Sequence, residues 1–359
     1  MALPAGTAVM PATASMPVSI DWPRVADYLG QQGLAFDLGF APRRFVGGLA
    51  NINLLVRIQD DWAVFRRPPA GPLPRGAHDM AREHRVLKTL WRQLPIAPRS
   101  IHHCADPDIA GAEFQILAFH AGRIVRGDDL APLPDTDETG TALSAMLVDT
   151  LARIHATDVA AAELETLGRP AGFLPRTIAG WIGRAGATLG DRASPGCAFV
   201  VDWLERQAPA DAPEPTLLHN DFKLDNMILR SDAIAPQAVV DWDMATLGDP
   251  LFDLATLLSY WAEPGDPPCM LELKQMPTAR PGFLTREAAA LAYAERTGRS
   301  LDGFIVHRVT AMFKLGVVFH QLAARYAAEG ATDPRFRTFG PLADGLFDFT
   351  ADIARGKAF

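Results

Sequence analysis

Hydrophobic and polar positions run through this chain in two rhythms. The first rhythm is short. From Phe45, RFVGGLANINLLVRI and then DDWAVFRRP read as two strands joined at Asp60-Asp61, with a glycine turn entering the first. EFQILAF (113–119) reads as a buried strand ended by His120-Ala121-Gly122. The second rhythm is helical. In 78–94 the apolar residues Met80, Val86, Leu87, Leu90, Trp91 and Leu94 recur at helical spacing. A helix also begins near Asp21, a good N-cap, with Pro23 tolerated in the first turn. Beyond Gly122 the helical rhythm dominates, in SAMLVDTLARIHATD (144–158) and in the long stretch 301–330 that ends in Gly330. One segment interrupts it: 216–230 and 235–250 read as strand, loop, strand and turn, a hairpin-like insert. Neither internal repeats nor heptads occur.

These patterns predict an α+β protein with a small sheet-bearing amino-terminal part and a larger, mostly helical carboxy-terminal part. The boundaries are 20–118 and 119–359, after an Ala/Pro/Thr/Ser-rich flexible tail at 1–19. PPAGPLP (68–74) cannot join a regular element, because each proline removes a backbone donor. At 359 residues with 48% hydrophobic positions, two domains with a sizeable core are expected. The net charge of −8 argues against a nucleic-acid partner met through overall basic charge. Cys104, Cys197 and Cys269 lie far apart, so a disulfide framework or cysteine zinc site is not expected. No apolar run is long enough for a membrane helix, and the amino terminus makes a poor signal peptide. A cytoplasmic protein with no membrane partner is the expectation, and a homodimer stays open.

The chemistry concentrates in His219-Asn220-Asp221-Phe222-Lys223-Leu224-Asp225-Asn226, a polar loop between two apolar runs. Fifteen residues after Asn226, Val239-Val240 ends in Asp241. Two oxygen ligands and a separate carboxylate are what Mg²⁺-dependent phosphoryl transfer requires. One acid orients or deprotonates the acceptor hydroxyl, while an amide and another acid hold the metal. All four asparagines (Asn51, Asn53, Asn220, Asn226) fall in this loop or in the glycine-turn segment. His102-His103-Cys104 invites a metal reading, but adjacent side chains on an extended segment point apart.

HNDFKLDN has the H-x-D-x-K-x-x-N spacing of the kinase catalytic loop. With DWDMATLGDPLFDLA downstream, it resembles the aminoglycoside phosphotransferase and choline-kinase-like family, which has the protein-kinase-like two-lobed fold. The resemblance runs from about Phe45 to at least Tyr260. Through FRRPPAGPLP, AREHRVLKTL and DWDMATLGDPLFDLATLLSYW it is closest to phosphotransferase-like proteins associated with acyl-CoA dehydrogenases. It implies a nucleotide-binding lobe at 20–118, a catalytic and substrate-binding lobe at 119–359, and ATP bound between them. Asp221 is then the catalytic base or hydroxyl-orienting acid, Asn226 and Asp241 the Mg²⁺ ligands, His219 a brace of the loop, and Lys223 a neutraliser of phosphoryl charge. Asp253 would support the loop from below, and Asp243 could assist the metal or lie exposed in a turn.

On the nucleotide side, the resemblance implies Gly47, Gly48 and Asn51 in the covering loop and an ion pair of Arg66 with Glu83, with Arg67 as the register alternative. The backbone near Ala118 and Phe119 would meet adenine. Two departures stand out. Arg66 replaces the usual lysine, and Asn220 stands where this family usually has glycine.

The acceptor is a small molecule bearing a hydroxyl. From Leu251 to Phe359 the chain has 12 acidic and 12 basic residues, so it lacks the acidic excess that would attract a polycation. Arg66, Arg67, Arg75, Arg82 and Arg85 instead form a basic segment. A hydroxyacyl-CoA or related metabolite is favoured over an aminoglycoside. A nucleotide-binding pseudokinase with a regulatory role is the alternative from another class.

Overall fold

Asp21 opens the first helix, α1 (Trp22–Gln31), by accepting the Arg24 backbone N–H on its carboxylate, with proline in the first turn. The structure, a computed structural model, describes residues 3–4, 7–11, 18–46, 51–69, 78–328 and 335–359. Gly47 and Gly48, most of PPAGPLP and Gly330 lie outside the described residues, as do 1–2, 5–6 and 12–17 of the amino-terminal segment. Val9 forms an antiparallel bridge with Phe45, and the Met10 N–H donates to the Arg44 carbonyl.

Strands β1 (Arg43–Arg44), β2 (Ile52–Ile58) and β3 (Asp61–Arg67) follow, and β2 and β3 form the expected hairpin. Next come α2 (Met80–Leu90), β4 (Ser100–Cys104), α3 (Pro107–Ala110) and β5 (Phe114–Ala118). The helical run begins with α4 (Asp137–His155), which starts seven residues before the apolar rhythm suggests. Thr136 caps it by accepting the Thr139 N–H, and Asp137 and Glu138 favour the positive end of the helix dipole. Helices α5 (Phe173–Leu189) and α6 (Pro195–Glu205) lead to strand β6 (Thr216–Leu218). Strands β7 (Met227–Leu229), β8 (Pro236–Val239) and β9 (Thr246–Gly248) precede α7 (Pro250–Ser259). The chain continues through α8 (Pro268–Leu271), α9 (Arg286–Thr297), α10 (Phe304–Ala328) and α11 (Arg335–Ala354).

Two compact units result. The first comprises Met1–Ile124, Asp158–Glu165 and Asn226–Ala245. Its antiparallel sheet has the order β1-β2-β3-β5-β4. Phe65 stacks on Phe114 in its core at 4.7 Å between ring centroids, and Trp22 meets Phe65 edge-on at 5.2 Å. The β7–β8 ladder belongs to this unit, pairing Met227 with Val239. Gly122 lies so close to the Leu229 carbonyl that a Cβ would sit 2.2 Å from it, and next to it Arg123 exchanges two backbone hydrogen bonds with Leu229.

The second unit comprises Val125–Thr157, Thr166–Asp225 and Thr246–Phe359. Helices α10 and α11 pack through Phe313 and Phe347, and β6 pairs antiparallel with β9. The apparent hairpin-like insert is therefore two separate ladders, β6 with β9 and β7 with β8. Adjacent apolar strands in a sequence need not be partners. Among the described residues no helix is long and apolar enough to cross a membrane.

Candidate active site

In the first unit, three neighbouring strands place polar side chains in one row. Asn53 on β2 is opposite Arg66 on β3, and Arg66 is opposite Gln115 on β5. Register partners share a face of the sheet, so this row lies on one face, and His103 on β4, opposite Gln115, continues it. Arg67, one residue on, points to the other face and donates to the Ala110 carbonyl at 2.5 Å. Register thus selects Arg66 as the partner of Glu83, which α2 supplies. The Arg66 Nε donates to Glu83 Oε2 at 2.7 Å, and Gln115 Nε2 donates to the same oxygen. Glu83 Oε1 accepts the Trp242 backbone N–H at 3.0 Å. Glu83 is 1% exposed, so these donors replace the water it has lost.

Arg66 reaches further than a lysine could. Its Nη1 donates to Asn53 Oδ1 at 3.2 Å and its Nη2 to Asp241 Oδ1. Burial alone would push the guanidinium down, but Glu83, Asp241 and Asp243 raise it above its ordinary value, so it stays charged. Asn53, Gln115 and the Trp242 N–H were not singled out from the sequence. A lone glutamine inside the apolar run EFQILAF was the available signal for Gln115.

The β7–β8 ladder fixes the next pair. The Val240 N–H donates to the Asn226 carbonyl at 2.9 Å, which brings Asn226 and Asp241 to one end of the ladder. Asp241 adopts φ +70°, a left-handed conformation that aspartate tolerates, and its side chain is 25% exposed. An amide and a carboxylate at the same ladder end are hard oxygen donors, and one of them is open to solvent. That donor set fits Mg²⁺. Asp243 is buried, not exposed in a turn.

The remaining residues expected on the nucleotide side are spread around the sheet. Asn51 Oδ1 is 2.9 Å from His78 Nδ1. Phe119 stacks on Phe45 with centroids 6.1 Å apart. The Ala118 N–H donates to the Arg99 carbonyl at 2.8 Å, so that backbone donor is already committed. His102 and His103 turn to different partners, the Tyr28 hydroxyl and the Glu113 carboxylate.

In the second unit, β6 delivers His219 and the loop after it. Asp253, in the first turn of α7 and fully buried, accepts the His219 N–H on Oδ2 and the Asn220 N–H on Oδ1, both at 2.7 Å. Its Oδ2 also lies 3.3 Å from His155 Nε2, and His155 Nδ1 is 2.6 Å from the Tyr293 hydroxyl. Burial would raise the Asp253 carboxyl, but His155, His219 and the backbone donors hold it below the usual carboxylate range. Lys314 Nζ on α10 donates to the Asn220 carbonyl at 2.7 Å. The backbone of the loop is therefore fastened at consecutive groups by two buried charges. Lys314, a single cation in the apolar run MFKLGVVF, was legible but unassigned.

Asn220 has φ +65°. That conformation explains why glycine is usual here and why asparagine, the side chain most tolerant of it, is an acceptable substitute. Asn220→Ala is expected to lower unfolding free energy by about 1–2 kcal/mol, whereas Asn220→Gly leaves it nearly unchanged. Denaturant titration of both variants checks this.

Asp221 follows, with its side chain 21% exposed. Its N–H donates to His219 Nδ1 at 3.3 Å, which makes His219 a brace within the loop. Its Oδ2 lies 3.3 Å from Lys223 Nζ, and its Oδ1 accepts the Tyr260 hydroxyl at 2.6 Å. Burial would raise this carboxyl, but Lys223, Tyr260, Lys314 and His219 together hold it below the usual range. The unit therefore presents an ionised carboxylate on a rigid loop, partly open to solvent. Such a group can orient a hydroxyl and take its proton.

The model of the phosphotransferase enzyme family matches residues 42–291 of the chain. Acyl-CoA dehydrogenase family member 10 of Mus musculus is 26% identical over 320 residues, covering 88% of this chain and 29% of its own length. The chain spans 25–36% of the curated relatives it matches. Among solved structures, an inferred aminoglycoside phosphotransferase of Ralstonia eutropha JMP134 superposes with a TM-score of 0.75 at 22% identity, covering 94% of this chain and 99% of that one. A thermostable mutant of aminoglycoside phosphotransferase APH(4)-Ia, in ternary complex with AMP-PNP and hygromycin B, gives 0.58 at 16% identity, covering 92% and 99%. At these identities the likeness shows the fold, the α+β kinase-like arrangement that the sequence resemblance implies.

Proposed function

The chain belongs to the phosphotransferase enzyme family, and from that premise we propose that it transfers the γ-phosphoryl group of ATP, with Mg²⁺, to a hydroxyl of a small molecule. The observation that carries this reading is the state of Asp221. Its loop is held by Asp253 and Lys314, its carboxyl is kept ionised, and one-fifth of its side chain is open to solvent. A base with a low pKa orients an alcohol and accepts its proton late, as the bond to phosphorus forms; it does not ionise the alcohol in advance.

Asn226 and Asp241 would hold Mg²⁺, which supplies charge neutralisation on the nucleotide phosphates. Arg66 keeps Glu83, Asn53 and Asp241 in register through three of its five N–H groups, and the others suit a phosphate. Transfer then proceeds by positioning and electrostatics, without a covalent enzyme intermediate.

For the acceptor, a hydroxyacyl-CoA or related metabolite is the favoured class. The acyl-CoA dehydrogenase name of the mouse relative supports it, and so does the balance of 12 acids and 12 bases over 251–359. The test is Mg²⁺-ATP-dependent ADP release against 4-hydroxyacyl-CoA thioesters and kanamycin-type aminoglycosides. Turnover on the thioesters alone is the expected result. Turnover on the aminoglycosides alone would transfer the chain to the antibiotic-kinase reading that its structural neighbours favour. ATP binding without turnover on any acceptor would support a regulatory pseudokinase instead.

A further inference from the structure

Helix α7 touches the catalytic loop twice from one face. Asp253 lies in its first turn, and Tyr260, seven residues later, stands at its C-cap. Seven residues are nearly two helical turns, about 10 Å along the axis on the same side. The first contact is structural, since the Asp253 carboxylate takes two backbone N–H groups. The second is chemical. The Tyr260 hydroxyl donates to Asp221 Oδ1 at 2.6 Å, the length of a charge-assisted O–H···O⁻ bond. Lys223 Nζ completes the corner, 3.3 Å from Asp221 Oδ2 and 4.6 Å over the Tyr260 ring.

An acceptor hydroxyl must meet this same carboxylate in the same way, with its oxygen about 2.6–3.2 Å from the base. Tyr260 is itself an alcohol-type O–H donor at that distance. Exchanging one O–H···O⁻ bond for another costs little, because the carboxylate keeps a donor throughout. Losing the tyrosine with nothing in its place is different. Lys223 Nζ stays 3.5 Å from Asp221 Oδ1, but the space of the phenol oxygen opens to water, and water activated beside ATP is hydrolysis.

We propose that Tyr260 is a built-in placeholder for the acceptor. Its phenol holds the acceptor hydroxyl's seat at Asp221 Oδ1, keeps water from that one position while the site lacks acceptor, and yields it when an acceptor arrives. The inference rests on reading Asp221 as the base. Tyr260 acts through Asp221 and is a positioning residue.

The decisive measurement is ADP release by the full chain with Mg²⁺-ATP and no acceptor, alongside ATP affinity by calorimetry and thermal melting. Tyr260→Phe removes one oxygen and keeps the ring beneath Lys223. It should raise acceptor-independent ADP release about fivefold or more, with ATP affinity unchanged, because general-base assistance to water is worth up to several orders of magnitude. Tyr260→Leu should act in the same direction and serves as the second variant if the first fails to fold. Adding Asp221→Asn to either should abolish the gain, which a loosened structure alone would not do. Unchanged or lowered ADP release at parental ATP affinity would overturn the placeholder and leave Tyr260 a brace. Absence of ATP binding in the parent would overturn the phosphotransferase reading, and the placeholder with it.

Discussion

Replacing Asp221 by alanine is expected to lower kcat by about 10³-fold while leaving ATP affinity within a factor of about two. The size of the effect follows from the role. General-base assistance contributes about 10²–10⁴, and a rate loss of 10³ corresponds to about 4 kcal/mol of transition-state stabilisation. The preserved affinity follows from what holds the loop. The anchors of its backbone are Asp253 and Lys314, and neither contact passes through the Asp221 side chain. Lys223 loses its ion-pair partner, but its side chain is 15% exposed and retains the Tyr260 ring beneath it. Steady-state kinetics on whichever acceptor turns over, with calorimetric titration of ATP, separates the two quantities. Asp221→Asn should lose nearly as much activity as the alanine variant, because an amide oxygen orients a hydroxyl but accepts its proton poorly. A variant retaining half of the parental kcat would remove Asp221 from the chemistry.

The loop 219–226 was legible because its polar residues are local. His219, Asp221, Lys223 and Asn226 sit within eight residues, and flanking apolar runs mark the loop's limits. The helical rhythm of 301–330 appears as α10, and that of 78–94 as α2, which ends at Leu90. Less legible were features whose cause lies elsewhere in the chain. Helix α4 begins on a polar first turn capped by Thr136, so its apolar rhythm reports only the later part. The pairing of β6 with β9 across 28 residues cannot be read from strands of three residues each. Tyr260 and Lys314 look like core residues in sequence, and only long-range contact turns them toward Asp221 and Asn220. Arg66 and Glu83 could be paired from kinase-like spacing. The extension of Arg66 to Asp241 could not, because it depends on the reach of a guanidinium across the folded unit.

That extension sets the other large expected effect, which falls on stability. Arg66→Ala should destabilise the first unit by about 3 kcal/mol, the lower end of what removing one partner of a buried ion pair costs. Glu83 is 1% exposed, so its carboxylate cannot recover the lost charge from water. Gln115 and the Trp242 N–H still donate to it, which places the cost at the lower end of the range. Asn53 and Asp241 lose a donor as well, although Asp241 is open enough to be hydrated. For a unit of this size the melting temperature should fall by about 6–12 °C. Arg66→Lys should lose less, because an ammonium can meet Glu83 but cannot span Glu83, Asn53 and Asp241 together. The discriminating variant is Arg66→Ala combined with Glu83→Gln. A neutral amide needs no counter-charge, so the double variant should be more stable than Arg66→Ala alone, a coupling that a double-mutant cycle reads directly. If Glu83→Gln instead adds its own loss to that of Arg66→Ala, the two side chains are not acting as an ion pair, and Arg66 is held in place by Asp241 and Asn53.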